Sequence, residues 1–163
     1  MTAAETISAP DALSTVRDIL ARHAGEAGAL LPILHDVQEA LGHVPATTVG
    51  EIAHALNLSR AEVHGVVTYY HFFRAAPPGR HVVQVCRAES CQARGADELL
   101  AQAEQLLGCK SHSTRADGGV TLEPVYCLGL CALSPAVMVD ERVHGRMTAG
   151  KLAGIVAGWE ISQ

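Results

Sequence analysis

The chain has 163 residues, 12 Lys and Arg against 17 Asp and Glu, and a formal net charge of −5, so no basic surface is available to hold nucleic acid. Two Phe, three Tyr and one Trp are too few to stack single-stranded bases. A hydrophobic fraction of 48% with 18% charged residues excludes a disordered chain and fits one ordinary domain, or a small domain with an appendage.

Residues 1–10 read as a loose terminus, with neither a secretory signal nor an Arg-rich transit peptide. No apolar run is long enough for a membrane span. A cytoplasmic protein without direct membrane insertion is expected, and its five cysteines then suggest metal or redox chemistry more than disulfides.

Asp11 to Ala24 predicts a helix with Leu13, Val16 and Leu20 on one face, ended by Gly25 to Gly28. Leu30 to Leu41 predicts a second, with Leu30, Leu34, Val37 and Leu41 as its stripe and Gly42 as its C-cap. Thr48 with Glu51 has the form of a capping box for a third helix (Val49, Ile52, Leu56). Ser59 with Glu62 has the same form for a fourth, through Val63, Val66, Val67 and Tyr70. Ala75 to Gly79, with two prolines and a glycine, marks a boundary. The expected division is an N-terminal helical region over 1–76 and a second domain over 77–163.

Beyond the boundary the periodicity changes. His81 to Val85 predicts a strand, Gly95 to Leu107 a helix stopped by Gly108, Ser111 to Gly119 a polar loop, and Val120 to Tyr126 a second strand. Ala136 to Val139 and Arg142 to His144 predict a hairpin turning at Asp140 and Glu141. Thr148 then caps a last helix through Leu152, Ile155, Val156 and Trp159. A helix between the first two strands implies a right-handed βαβ unit with parallel pairing, so the fold class is α/β: a helical bundle followed by a mixed-sheet domain.

Each of the first two domain strands runs into a cysteine pair, Cys86 with Cys91 and Cys127 with Cys131. Loops at the carboxyl ends of parallel strands are where open α/β sheets hold ligands. Four converging thiolates suit a [2Fe–2S] cluster, two to each iron, or a tetrahedral zinc; disulfides and unrelated buried thiols are the remaining readings. The gaps differ from the plant-type ferredoxin run, and no His lies within either loop to make a Rieske site. Gly129 lets backbone amides approach sulfur, which favours the cluster. Arg87 is read as a solvated side chain that could lend positive charge. Cys109 has no partner in spacing and is read as a core or surface thiol. His64, His71 and His81 are read as packing or surface groups. A Cys-x-x-Cys dithiol of the thioredoxin kind is absent.

Val85 to Gly95, Glu123 to Val139 and Leu56 to Tyr70 together resemble the 24 kDa [2Fe–2S] subunit family of NADH dehydrogenase, over about residues 28–160. The resemblance implies a thioredoxin-like ferredoxin domain, with Cys86, Cys91, Cys127 and Cys131 as cluster ligands. It also implies a flavoprotein partner carrying FMN, an NAD(H) site and a [4Fe–4S] cluster. Within the family, Arg87 to Ser90 and Ala132 to Ala136 resemble most the gamma subunit of NAD-dependent molybdenum formate dehydrogenase. Relatives from respiratory complex I usually carry Thr-rich residues between the first two cysteines and Asn-Ala-Pro after the last. The expected role is a non-catalytic electron-transfer subunit of a formate dehydrogenase complex with a larger molybdenum-containing catalytic subunit. The alternatives are the equivalent subunit of complex I or of an NAD-reducing hydrogenase, and a zinc-stabilised docking module.

Overall fold

Apolar residues at helical spacing build the first part of the chain, and β-branched runs build the second. The computed structural model describes residues 9–160, so the loose terminus expected over 1–10 lies, for 1–8, outside the described residues. The chain forms two compact units that divide between Pro77 and Pro78.

The first unit holds α1 (Ala9–Arg22), α2 (Leu30–Leu41), α3 (Val49–Ala55) and α4 (Arg60–Tyr69). Its core contains Val16, Ile19, Ile33, Leu34, Val37, Ile52 and Val63, all essentially inaccessible. The α1 face is rotated from the expected one: Ala12, Val16 and Ile19 are buried, whereas Leu13 is half-buried. Gly42 closes α2 in the left-handed region at φ 76°, and its N–H bonds the Gln38 carbonyl. Tyr70 is the C-cap of α4, extended and 43% exposed, and does not continue the inward stripe.

The two look-alike capping boxes part ways. Ser59 and Glu62 form theirs: the Glu62 N–H donates to Ser59 Oγ at 3.2 Å, and Ser59 N–H donates to Glu62 Oε2 at 2.7 Å. Thr48 forms none. Its backbone is already helical, its hydroxyl donates to the Pro45 carbonyl at 2.7 Å, and Glu51 pairs instead with Arg17 Nε at 2.6 Å.

The second unit is a five-stranded mixed sheet in the order β2-β3-β1-β4-β5. The strands are β1 (His81–Cys86), β2 (Ser113–Thr114), β3 (Val120–Val125), β4 (Val137–Val139) and β5 (Arg142–His144). β1 and β3 run parallel with Cys86 opposite Val125, and β4 lies antiparallel on the other side of β1. Helices α6 (Ala96–Leu107) and α7 (Ala149–Glu160) pack together, with α6 against β1 and β3. Leu99, Leu100, Ala103 and Leu107 of α6, with Leu152 of α7, share a core with Val83, Val85, Val120, Leu122, Val137 and Val139. The last helix is capped as expected, Lys151 N–H donating to Thr148 Oγ1 at 3.3 Å.

Two differences concern strands. The stretch 111–119, expected as loop, contributes the two-residue edge strand β2, antiparallel to Thr121 and Leu122. β3 ends at Val125, leaving Tyr126 outside the ladder and 61% exposed. Pro124 is tolerated within β3 because it lies beyond the residues that β2 pairs. Among the described residues, no helix is long and apolar enough to cross a membrane.

Candidate metal centre

The parallel register of β1 and β3 delivers two loops to one end of the sheet. Cys86 is the last residue of β1, and its N–H donates to the Ala136 carbonyl at 3.0 Å. Arg87 N–H donates to the Val125 carbonyl at 2.7 Å, which carries the pairing one residue past the strand. A single helical turn, α5 (Glu89–Gln92), then places Cys91. On the other loop, Cys127 follows β3, and Cys131 opens a 3-10 turn through Leu133. The Ser134–Pro135 bond that follows is cis.

All five cysteines are free thiols, and the four expected ligands meet in pairs. Cys86 and Cys91 influence each other's titration, as Cys127 does that of Cys131. Cys86 and Cys91 are 2% and 3% exposed, whereas Cys127 and Cys131 are exposed. Apolar groups wrap the inner pair, among them Ala96, Ala136, Val125, Leu128 and Leu130.

Hydrogen bonds reach the sulfurs from both loops. Burial pushes the Cys86 thiol up, against backbone N–H bonds from Ala88 and Leu128 that favour its thiolate. Burial acts the same way on Cys91. There the Ser134 hydroxyl, the Ala136 N–H and Cys86 together outweigh it and hold the thiol below its ordinary value. Cys131 is raised by its bond to Cys127 and by the charge of Cys127, and further by burial and by the charges of Cys91 and Cys86. The second loop reaches a sulfur of the first through Ser134, whose Oγ lies 3.5 Å from Cys91 Sγ.

Cys127 adopts φ 126°, a backbone conformation that residues with a side chain rarely take and that clusters at functional sites. Gly129, at φ 76°, donates its N–H to Cys127 Sγ at 3.4 Å, the approach expected of a glycine there. Arg87 is neither freely solvated nor aimed at sulfur: Nε and Nη2 hold Asp97 Oδ1 at 2.9 and 2.8 Å. Cys109 stands apart, half-buried against the sheet core, its thiol raised by burial. His81 serves packing, stacked on Trp159 at 4.1 Å with Nδ1 at 3.0 Å from Asp140 Oδ2. Sequence reasoning missed Ser90 and Ser134. Their hydroxyls are 2.8 Å apart, and each donates to the Cys131 carbonyl, at 3.0 and 2.8 Å.

The second unit is thus an α/β sheet domain with soft sulfur donors at the carboxyl ends of its parallel strands; among the described residues no three or more His, Cys, Asp or Glu side chains gather into one metal-holding group, so the four sulfurs stand as two pairs. The sequence matches the family model for thioredoxin-like [2Fe–2S] ferredoxins over residues 16–160. It is 32% identical over 143 residues to one of the NADH-quinone oxidoreductase subunits of Rhizobium meliloti (strain 1021), covering 88% of this chain and 85% of that one. It is 33% identical over 130 residues to the NADP-reducing hydrogenase subunit HndA of Solidesulfovibrio fructosivorans, covering 80% and 76%. The fold matches the crystal structure of an air-oxidised NAD⁺-reducing [NiFe]-hydrogenase at a TM-score of 0.68 and 22% identity, over 82% of this chain but only 23% of that one.

The chain belongs to the thioredoxin-like [2Fe–2S] ferredoxin family. Its cofactor is a [2Fe–2S] cluster, and it is an electron-transfer protein.

Proposed function

We propose that Cys86, Cys91, Cys127 and Cys131 hold the cluster, two thiolates to each iron, and that the chain is the one-electron carrier of an NAD-linked oxidoreductase complex. The observation that carries this reading is the parallel register of β1 and β3, which brings both cysteine pairs to one end of the sheet, with Ser134 Oγ of the second loop 3.5 Å from Cys91 Sγ of the first and Gly129 N–H donating to Cys127 Sγ at 3.4 Å. Such donors stabilise thiolate charge and raise a cluster's potential. Substrate chemistry is assigned to the partner subunits. The chain alone is inactive toward formate and NADH.

The partner we propose is a flavoprotein subunit with FMN, an NAD(H) site and a [4Fe–4S] cluster. Tyr126 and Leu133 leave an apolar rim beside the exposed cysteine pair, 61% and 37% exposed, where such a subunit can seat close to the cluster. Hydrogenase and NADH-quinone oxidoreductase names among the relatives support an NAD(P)-linked complex. The finer reading is an NAD-dependent formate dehydrogenase with a molybdenum-containing catalytic subunit, supported by the residues Arg87 to Ser90 and Ala132 to Ala136.

Anaerobic purification tests the site. The chain should be reddish-brown, carry about two iron and two sulfide, and give a rhombic EPR signal when reduced. A colourless protein with one zinc would overturn electron transfer in favour of a docking module. Affinity capture from the native host with mass spectrometry tests the complex: a molybdenum enzyme beside the flavoprotein supports the finer reading, and a quinone reductase or hydrogenase subunit replaces it.

A further inference from the structure

Two serines from different loops lock onto one carbonyl and one sulfur. Ser134, 9% exposed, has its hydroxyl oxygen 2.8 Å from Ser90 Oγ, 2.8 Å from the Cys131 carbonyl oxygen and 3.5 Å from Cys91 Sγ. Ser90 Oγ also reaches the Cys131 carbonyl, at 3.0 Å.

Two hydroxyls carry two protons. With Cys91 as a thiol, its own S–H can point at Ser134 Oγ, and both serines can serve the carbonyl. With Cys91 as a metal-bound thiolate, that S–H is gone, and the sulfur becomes an acceptor beside a buried hydroxyl. Ser90 can satisfy the Cys131 carbonyl alone, which frees the Ser134 proton to turn to sulfur.

We propose that Ser134 donates its hydroxyl proton to Cys91 Sγ in the cluster-loaded protein and sets the reduction potential, with Ser90 releasing it for that bond. This rests on Cys91 being a ligand, as proposed above. Reduction adds one electron to the centre; no covalent bond forms or breaks, and Ser134 keeps its proton. The added negative charge strengthens the O–H···S contact, so the reduced state gains more than the oxidised one. Burial matters because little water can replace the lost dipole. Ser134 is a positioning and tuning residue here, not a ligand.

Redox titration of the whole chain, followed by EPR, tests the assignment on S134A, S134T and S90A, with iron and sulfide measured for each. Ser134→Ala should shift the midpoint potential to more negative values at full iron content. Ser134→Thr, which keeps the hydroxyl, should return it toward wild type. Ser90→Ala should shift it in the same direction by less, because the Cys131 carbonyl then competes for the Ser134 proton. ENDOR in D₂O should show an exchangeable coupling that is lost in S134A. A fully loaded S134A at wild-type potential overturns the proposal and leaves the ligand assignment standing. Wild-type protein without a cluster overturns the ligand assignment itself. If S134A fails to load, S90A decides: a wild-type potential there overturns the proposal.

Discussion

Cys127 and Cys131 each pair with the other across a turn whose backbone is held at φ 126° and φ 76°. Replacing either by Ser exchanges a soft thiolate for a harder, more basic oxygen, and the cluster should be lost or its spectrum altered. Cys109→Ser should leave the visible spectrum intact, since Cys109 packs against the sheet core; bleaching of that variant would overturn the ligand set. A less obvious residue is Gly145. A Cβ there would lie 2.6 Å from Leu133 Cβ and 3.0 Å from the Leu133 carbonyl oxygen. The next two residues donate backbone N–H groups to the carbonyls of Leu133 and Pro135, so the chain after β5 props the Cys131 turn from behind. Gly145→Ala should therefore cost about 1–3 kcal/mol in denaturant melts and broaden the EPR lines, because the turn must shift.

At the scale of elements, the capping boxes give a paired comparison. Ser59→Ala removes a formed cap and should destabilise by about 1 kcal/mol. The joint between α1 and α2 carries a pH signature. His23 Nδ1 meets Glu26 Oε2 at 2.7 Å and Nε2 meets Asp36 Oδ2 at 3.0 Å. The bonds to Glu26 and then Asp36 raise the imidazole above its ordinary range, and the His23 bond lowers the Asp36 carboxyl. The His23 contribution is whole below its unfolded pKa of about 6.5 and is lost as pH rises through the higher folded value. The Asp36 contribution is whole above its unfolded value and is lost as pH falls through the lower folded one. Urea melts of wild type and His23→Gln should differ most in mildly acidic buffer and converge at alkaline pH; a gap that widens with pH would contradict the pairing.

These elements also show what the sequence could reveal. The βαβ order was legible because Val83, Val85, Val120 and Leu122 alternate within short runs while the α6 leucines recur at helical spacing. Both cysteine pairs were legible because each follows a strand. The strand β2 and the turn α5 are two and four residues long, too short to show a period. The Thr48 box failed because Arg17, from another helix, takes Glu51. Gln38, which no sequence pattern singles out, is buried, donating to the Phe72 carbonyl and accepting from Arg74 N–H. Ser90 and Ser134 lie 44 positions apart, and only the folded sheet joins them.

For the molecule as a whole, the cluster loops and the helical unit have separate cores. A group bound only by the folded state stabilises it by mass action. Iron chelation under anaerobic reducing conditions should lower the melting temperature and raise hydrogen exchange at residues 86–91 and 127–136. Exchange in the α1–α4 core should stay unchanged; a uniform rise across the chain would mean that the cluster supports the whole fold.

The unequal exposure of the two cysteine pairs gives the site a direction. Cys86 and Cys91 sit at the inner wall, while Cys127 and Cys131 face outward. A solute approaching the four cysteines from solvent meets the second loop's pair first. The apolar rim at Tyr126 and Leu133 stands on that same side. A partner of the kind proposed above, seated on that rim, would cover the exposed cysteine pair, so that docking and shielding of the sulfurs would be one event.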